Sequence, residues 1–283
     1  MVNIIGEPIR KGKVKDVYEA DKNNIFFHFT DRVSAFDIIL PSTIPHKGEI
    51  LCKFASYWFE TLDTPNHMIK IIDKDKMLVK KLEIIPIECI IRGYLYGSLY
   101  ERVIKKEHIL PHSSSTILAS KLPNPMFDPT TKFEAKDRPI STEEIIEKGW
   151  LSNEEFELLK NLSIELYEKM SEKVAEADLI MADVKLEFGK DQDGNILLAD
   201  SIGPDEFRLW SKDQYKIGKS QEAFDKQIVR DWLIQVGYKQ QIDKAKENRE
   251  EDPIPPELPN DIITNVRERY IYTYEKISGR KFN

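Results

Sequence analysis

Apolar and polar positions alternate over much of the first forty residues. That period places KVKDVYEA, from Lys13, and IFFHFT, from Ile25, as paired strands around the polar turn DKNN at 21–24. Beyond Pro45 the period changes: Leu51, Phe54, Ala55, Trp58, Phe59 and Leu62 recur at helical spacing. Strand-type patterning returns from about 68 to 91, where IIPIECIIRG is broken by Pro86. Periodicity fades between 105 and 140, which reads as loop with short elements. Ser141 with Glu144 then opens a short helix that Gly149 can end, and Ser152 with Glu155 opens a long one. Phe156, Leu159, Leu162, Leu166, Met170 and Val174 form the apolar face of the long helix. LIMADVKLEFG, the turn DQDGN and ILLAD read as a hairpin. Helices are expected over about 220–236, with Phe224, Ile228 and Trp232 on one face, and over about 261–277, after IPPELP. Between them DKAKENREED reads as a solvated charge run. No internal repeat is found. Strands lead and helices follow, so the fold class is α+β in two lobes: a β-rich N-terminal lobe over 1–84 and a larger C-terminal lobe over 85–283.

Composition narrows the function. The chain of 283 residues has an apolar fraction of 41% and a charged fraction of 32%, values of a folded globular protein and not of a disordered or fibrous one. Forty-two basic against 49 acidic residues leave a net charge of −7, so no global field favours nucleic acid. Two cysteines, Cys52 and Cys89, are too few for a disulfide framework. No apolar run approaches the roughly 20 residues of a membrane span, and the N-terminus has no signal-type apolar core. The expectation is a cytoplasmic protein without membrane or nucleic-acid partners.

Charge is concentrated in a few motifs. On a strand, Asp183, Lys185 and Glu187 share one face, while Val184, Leu186 and Phe188 share the other. With a loop from Asp191 to Gly194, Lys190 pairs with Asn195 and Lys185 lies opposite Asp200; a register one residue away would equally gather three carboxylates around one ammonium. Carboxylates that close need a cation, and magnesium, which takes one or two of them and completes its shell with water and phosphate oxygens, is the favoured one. Lys13 and Lys15 share a strand face after Gly12 and suit polyphosphate, although no Walker A or G-x-G-x-x-G spacing is present. Arg92, two glycines and Ser98 in RGYLYGS suit a monophosphate ester. A Gly-Pro turn directs Asp205 and Arg208 towards the hairpin end. Cys89, in an Ile-rich segment, reads as a buried thiol. Together these features point to ATP-dependent chemistry on a second, anionic ligand.

GKVKDVY, DRVSAFD, ECIIRGYLYGS, FDPTTK, ADVKLEFG, DSIGPDEFRLW and FDKQIVRDWL occur in this order. The ordered set, from about Gly12 to Gly279, resembles the SAICAR synthetase (phosphoribosylaminoimidazole-succinocarboxamide synthase) family. The resemblance implies a two-lobed fold with ATP in the cleft, and a ligase that joins L-aspartate to carboxyaminoimidazole ribonucleotide (CAIR). It implies Lys13 and Lys15 on the ATP phosphates, Lys80, Lys81 and Leu82 with Glu88 at the adenine end, and Lys132 on a loop over ATP. It further implies Glu187 and Asp200 at metal and nucleotide, and Arg92, Ser98 and Arg208 on the ribose phosphate. Asp183 and Lys185 fall beside the reacting carboxylate, with Asp37 near them. A homodimer is expected on the same ground. Asp225, Lys226 and Arg230 are candidate aspartate contacts, although they do not all share one helix face. Two positions depart from the family pattern: His46 stands where glycine is common, and Lys136-Asp137 where His-Asp is common. The rival readings are a phosphotransferase that stops after moving the γ-phosphate, and a silent nucleotide-binding module.

Overall fold

The computed structural model describes residues 6–134 and 137–282, so Lys136 lies outside the described residues. The N-terminal strands are β1 (Arg10–Lys11), β2 (Lys15–Glu19), β3 (Asn24–Phe29), β4 (Arg32–Ala35) and β5 (Ile38–Thr43). Helix α1 (Lys47–Thr61) follows, then β6 (Met68–Asp73) and β7 (Lys76–Lys80). Strands β1, β2, β3, β7 and β6 form one sheet in that order, and β4 pairs with β5. The expected Lys13 and Ile25 hairpin is present, with Lys15 opposite Phe29 and Glu19 opposite Ile25.

The second sheet is built from β8 (Glu83–Ile84), β9 (Ile87–Tyr94), β10 (Lys121–Phe127), β11 (Thr130–Thr131), β12 (Leu179–Lys190), β13 (Ile196–Ala199) and β14 (Phe207–Ser211). Between them run α2 (Gly97–Ile104), α3 (Thr142–Glu147) and α4 (Asn153–Ala175); α5 (Gln227–Gln235), α6 (Tyr238–Asn248) and α7 (Asn260–Ser278) close the chain. Strand β12 organises this sheet. One edge pairs with β9 and then β8, the other with β14 and then β13. Val184, Leu186 and Phe188 are buried as the alternation predicts. Helix α4 covers that apolar face, its start fixed by the reciprocal capping box of Ser152 and Glu155. Ser141 likewise accepts the Glu144 N–H at the start of α3. The α+β fold is as expected.

One expected boundary is corrected, and two further helices carried no clear pattern. The helix over 220–236 begins only at Gln227, because the Phe224 N–H donates to Leu209 and Ala223 bridges Trp210, holding that stretch along the edge of β14. The charge run DKAKENREED is solvated as expected, with every charged side chain exposed, but its first half is helical. Gly237, at φ 80°, turns the chain into α6, which buries Tyr238, Ile242 and Ala245 at helical spacing, so a short apolar stripe suffices. The RGYLYGS segment continues directly into α2, whose single buried residue, Leu99, gave too little periodicity to be read.

The departure at His46 has a physical reason. His46 precedes α1 at φ 67°, the left-handed region that glycine adopts freely and other residues enter at a cost of about 1–2 kcal/mol. Its ring meets Phe282 edge-on with centroids 6.0 Å apart. It lines neither cavity described below.

Candidate active site

Two adjoining cavities of about 590 and 810 Å³ open between the sheets, within the size range of small-molecule sites. Lys13, Val14, Glu88, Asp137, Lys185 and Glu206 line both, so they form one cleft. The first half has an apolar end at Val17, Ile25, Leu82 and Ile84, beside Lys80. Lys81 does not line it; its N–H donates to the Asn23 carbonyl at 2.8 Å. Towards the centre come Lys15, Lys132, Lys185, Glu187 and Asp200. The second half carries Asp37, Arg92, Ser98, Asp183 and Arg208, with Lys226 and Arg230.

The expected ring of three carboxylates around Lys185 is not what forms. Asp191 and Asn195 close the hairpin through Asp191 N–H to Asn195 carbonyl (3.0 Å), leaving the three-residue loop 192–194 with Gly194 at φ 82°. That shifts the register by one residue: Lys190 faces Ile196, and Glu187 faces Ala199. Lys185 instead reaches Glu88 at 2.7 Å and Glu187 at 3.5 Å. Lys132 approaches Glu187 at 2.6 Å. Burial alone would raise the Glu187 pKa, but Lys185 and Lys132 outweigh it and hold the carboxyl down at about 2. Burial opposes the Lys185 ammonium, yet Glu187 and Glu88 carry it above the ordinary lysine range. Asp200 pairs with Lys15 from a left-handed backbone at φ 60°.

Asp183 stands apart from that group. In the sheet it lies directly between Arg92 on β9 and Arg208 on β14, and both guanidinium groups reach its carboxylate, Arg92 at 3.8 Å. Arg92 is buried, with Nε donating to Asp128 at 2.5 Å and Nη2 to Ser98 at 3.0 Å. Arg102 shares Asp128. The Arg92 guanidinium is therefore clamped on Asp128, Ser98 and Asp183, and it lines the second cavity together with Arg208. Gly97 is needed here: it sits at φ 56°, and a Cβ would lie 2.9 Å from the Arg208 guanidinium. Lys13 pairs with Asp37 at the cleft mouth.

A buried lysine outside the motifs, Lys47, braces the site from behind. Lys47, fully buried in α1, donates to Asp205 at 2.8 Å; Lys226 reaches the same oxygen at 3.4 Å, and the Tyr270 hydroxyl donates to the other at 2.9 Å. Asp225 is not in the cleft, since it accepts from the N–H groups of Leu209 and Gln227. Lys226 and Arg230, four apart, do line it together, a spacing that could have been read. His67 lines the first cavity, and its Nε2 meets the Asp200 carbonyl at 3.0 Å.

Glu206 is a carboxyl at the junction whose Oε2 is buried without a hydrogen-bond partner among the described residues. Burial, with Asp205 beside it, pushes Glu206 up to about 7. A carboxyl with a raised folded pKa favours folding while protonated. That support is complete below its unfolded value of 4.5 and is lost as pH rises through about 7. Glu206→Gln is therefore expected to stabilise the protein by up to about 3 kcal/mol at pH 8.5 and to be nearly neutral at pH 4.5. Denaturant melts at the two pH values check this; a gain that is equal at both would contradict it.

The residues fit a magnesium ion. Glu187 and Asp200 present hard oxygen donors in one cavity beside the cationic Lys15 and Lys132. Among the described residues no three acidic, His or Cys side chains form a ready metal cage. Magnesium needs only one or two carboxylates when phosphate oxygens and water complete its shell. Among the described residues no helix is long and apolar enough to cross a membrane.

A family model described as SAICAR synthetase matches residues 8–246. The chain is 51% identical over 274 residues to the phosphoribosylaminoimidazole-succinocarboxamide synthase of Nitrosopumilus maritimus (strain SCM1), covering 97% of this chain and 99% of that one. It is 37% identical to the enzyme of the same name from Corynebacterium urealyticum, over 98% of this chain and 95% of the relative. Among solved structures it is similar to the SAICAR-synthase from Saccharomyces cerevisiae complexed with SAICAR, with a TM-score of 0.82, 31% identity, and 98% and 96% of the two chains covered. A SAICAR synthetase (Type-2) in complex with ADP gives a TM-score of 0.73 at 25% identity, covering 97% of this chain and 99% of that one.

Proposed function

The chain belongs to the SAICAR synthetase family, and from that premise we propose how its cleft divides the family's reaction. The protein is an ATP-dependent ligase that joins L-aspartate to CAIR, giving SAICAR, ADP and phosphate in purine biosynthesis. The observation that supports the division is the continuity of the cleft: a lysine- and carboxylate-lined half meets a guanidinium-lined half at Lys185.

A carboxylate does not accept an amine at neutral pH, because its carbon is weakly electrophilic and its oxygen is a poor leaving group. Phosphoryl transfer from ATP makes an acyl phosphate, from which the α-amino group of aspartate displaces phosphate. The nucleotide base lies at the apolar end by Leu82 and Lys80, and its phosphates run towards Lys13, Lys15 and Lys132. Lys185, with Asp183 next along the strand face, stands beside the reacting carboxylate and offsets charge on the moving phosphoryl group. Arg92, Ser98 and Arg208 hold the ribose phosphate, and Lys226 with Arg230 suits the aspartate carboxylates. Glu187 and Asp200 would hold magnesium, which when bound supplies charge neutralisation at the phosphates. Residues 1–84 serve as the ATP-binding lobe and 85–283 as the metal and substrate lobe. A cytoplasmic homodimer is the expected setting, supported by family membership; sedimentation analysis tests the assembly.

ADP release measured with and without aspartate and CAIR separates ligation from simple phosphotransfer. Release that ignores aspartate in the presence of CAIR would contradict the reading. Arg92→Ala is expected to weaken CAIR binding by roughly ten- to a hundredfold while ATP affinity changes little, since a charge-assisted contact is worth about 1.5–3 kcal/mol. Calorimetry with each ligand checks it. Unchanged CAIR affinity beside weakened ATP binding would reverse the assignment.

A further inference from the structure

Asp200 leaves β13 in a left-handed conformation, φ 60°, which aspartate tolerates more readily than most residues but still uncommonly adopts. Its main-chain carbonyl meets the His67 ring nitrogen Nε2 at 3.0 Å. A carbonyl oxygen only accepts, so Nε2 carries the proton and donates. His67 itself has little freedom. It is 2% exposed, and its ring meets Phe27 and Phe59 edge-on, with centroids 5.4 and 5.3 Å away. Its N–H donates to the Leu198 carbonyl at 3.1 Å, and its carbonyl accepts from the Lys80 N–H at 2.8 Å. One residue thus links β7, in the five-stranded sheet, to β13, in the seven-stranded sheet.

The same ring contact supports the other half of the ion pair. Lys15 Nζ lies 4.0 Å from the centroid of Phe27, the ring against which His67 packs. Lys15 and Asp200 therefore meet above a shared His67–Phe27 floor. We propose that His67 is a positioning residue for ligation: by holding the Asp200 peptide, it aims the Asp200 carboxylate at the phosphate end of the cleft. This rests on the reading that Asp200 acts at that end. A histidine that merely filled space between two phenylalanines would be replaced equally well by a third.

The test compares His67→Phe, which keeps the ring and loses the donor, with His67→Gln, which keeps an N–H donor of similar reach. Asp200→Asn serves as the reference. His67→Phe is expected to lower kcat about tenfold and to raise the magnesium concentration for half-maximal ADP release by a similar factor. The KM for CAIR should stay within about twofold, because the guanidinium half of the cleft is not touched. Calorimetric affinity for magnesium-ADP should fall in parallel, and His67→Gln should recover most of each loss. In the wild-type protein, nitrogen NMR should show a protonated Nε2 on His67. A bare Nε2 overturns the proposal even if His67→Phe fails to fold. Unimpaired His67→Phe beside a crippled Asp200→Asn overturns it alone, as does a His67→Gln as impaired as His67→Phe. Normal turnover by Asp200→Asn sinks the reading of Asp200 and the proposal with it.

Discussion

Asp200→Asn should yield a folded protein whose aspartate-dependent ADP release has fallen by at least about a hundredfold, the scale on which removing one electrostatic contact to a transition state is felt. The side chain is 29% exposed and lies across from Lys15, so packing around it changes little. Asparagine keeps the size and one oxygen but loses the formal charge that a hard cation between phosphate oxygens requires. Lys15 is not stranded by the change. Burial pulls its ammonium below the ordinary lysine range, and Glu187 and Glu206 still act in the opposite direction. Stability should therefore move by no more than about 1 kcal/mol. Turnover titrated with magnesium, beside a thermal melt, separates the outcomes. Near-normal turnover removes Asp200 from the chemistry, and a collapsed melting temperature makes it structural.

Asp205→Ala should have the opposite signature, with stability lost first. Lys47 has no exposed side-chain surface and donates to Asp205 at 2.8 Å. Removing the carboxylate strands the buried Lys47 ammonium, takes a partner from Lys226 and frees the Tyr270 hydroxyl. Breaking a buried pair in this way costs about 3–5 kcal/mol, which for a chain of this size lowers the melting temperature by roughly 10 °C. Adding Lys47→Met to that variant should recover a good part of the loss, because it removes the stranded charge. Denaturant melts of both variants decide the point. A single variant within 1 kcal/mol of wild type would mean that the pair contributes nothing.

Local patterns carried much of the fold and the motif positions. The Ser152 capping box, the buried face of Val184, Leu186 and Phe188, and the first hairpin all depend on neighbours a few residues away. Partner choice within the cleft does not. Asp183 takes its cations from Arg92 and Arg208, on two other strands, and no spacing along the chain sets that pairing. The hairpin closes one residue later than expected, and Asp200, just past the end of β13, turns into a left-handed conformation and pairs with Lys15, a partner on another sheet that no local spacing announces. Lys47 is harder still to read. A lysine at the start of a helix ordinarily reads as solvated, and only the arrival of Asp205 and Tyr270 accounts for its burial. His67 sits outside the recognisable words altogether, and its role emerges only when β13 is laid against β7.

Helix α7 packs along α1, and the Tyr57 hydroxyl donates to the Ile277 carbonyl, 220 positions later in the chain. During synthesis the side of the first helix that meets α7 is therefore covered only after Ile277 has been made. Through that interval Lys47 has neither Asp205 nor Tyr270 to meet, so it stays hydrated, although α1 can already pack on β3, β6 and β7. Contacts this distant in sequence slow folding. The side of α1 carrying Phe54, which meets Phe207 and Tyr274 in the finished protein, is left open to other nascent chains in the meantime. Yield in the cell should thus be most sensitive to conditions that lengthen this wait.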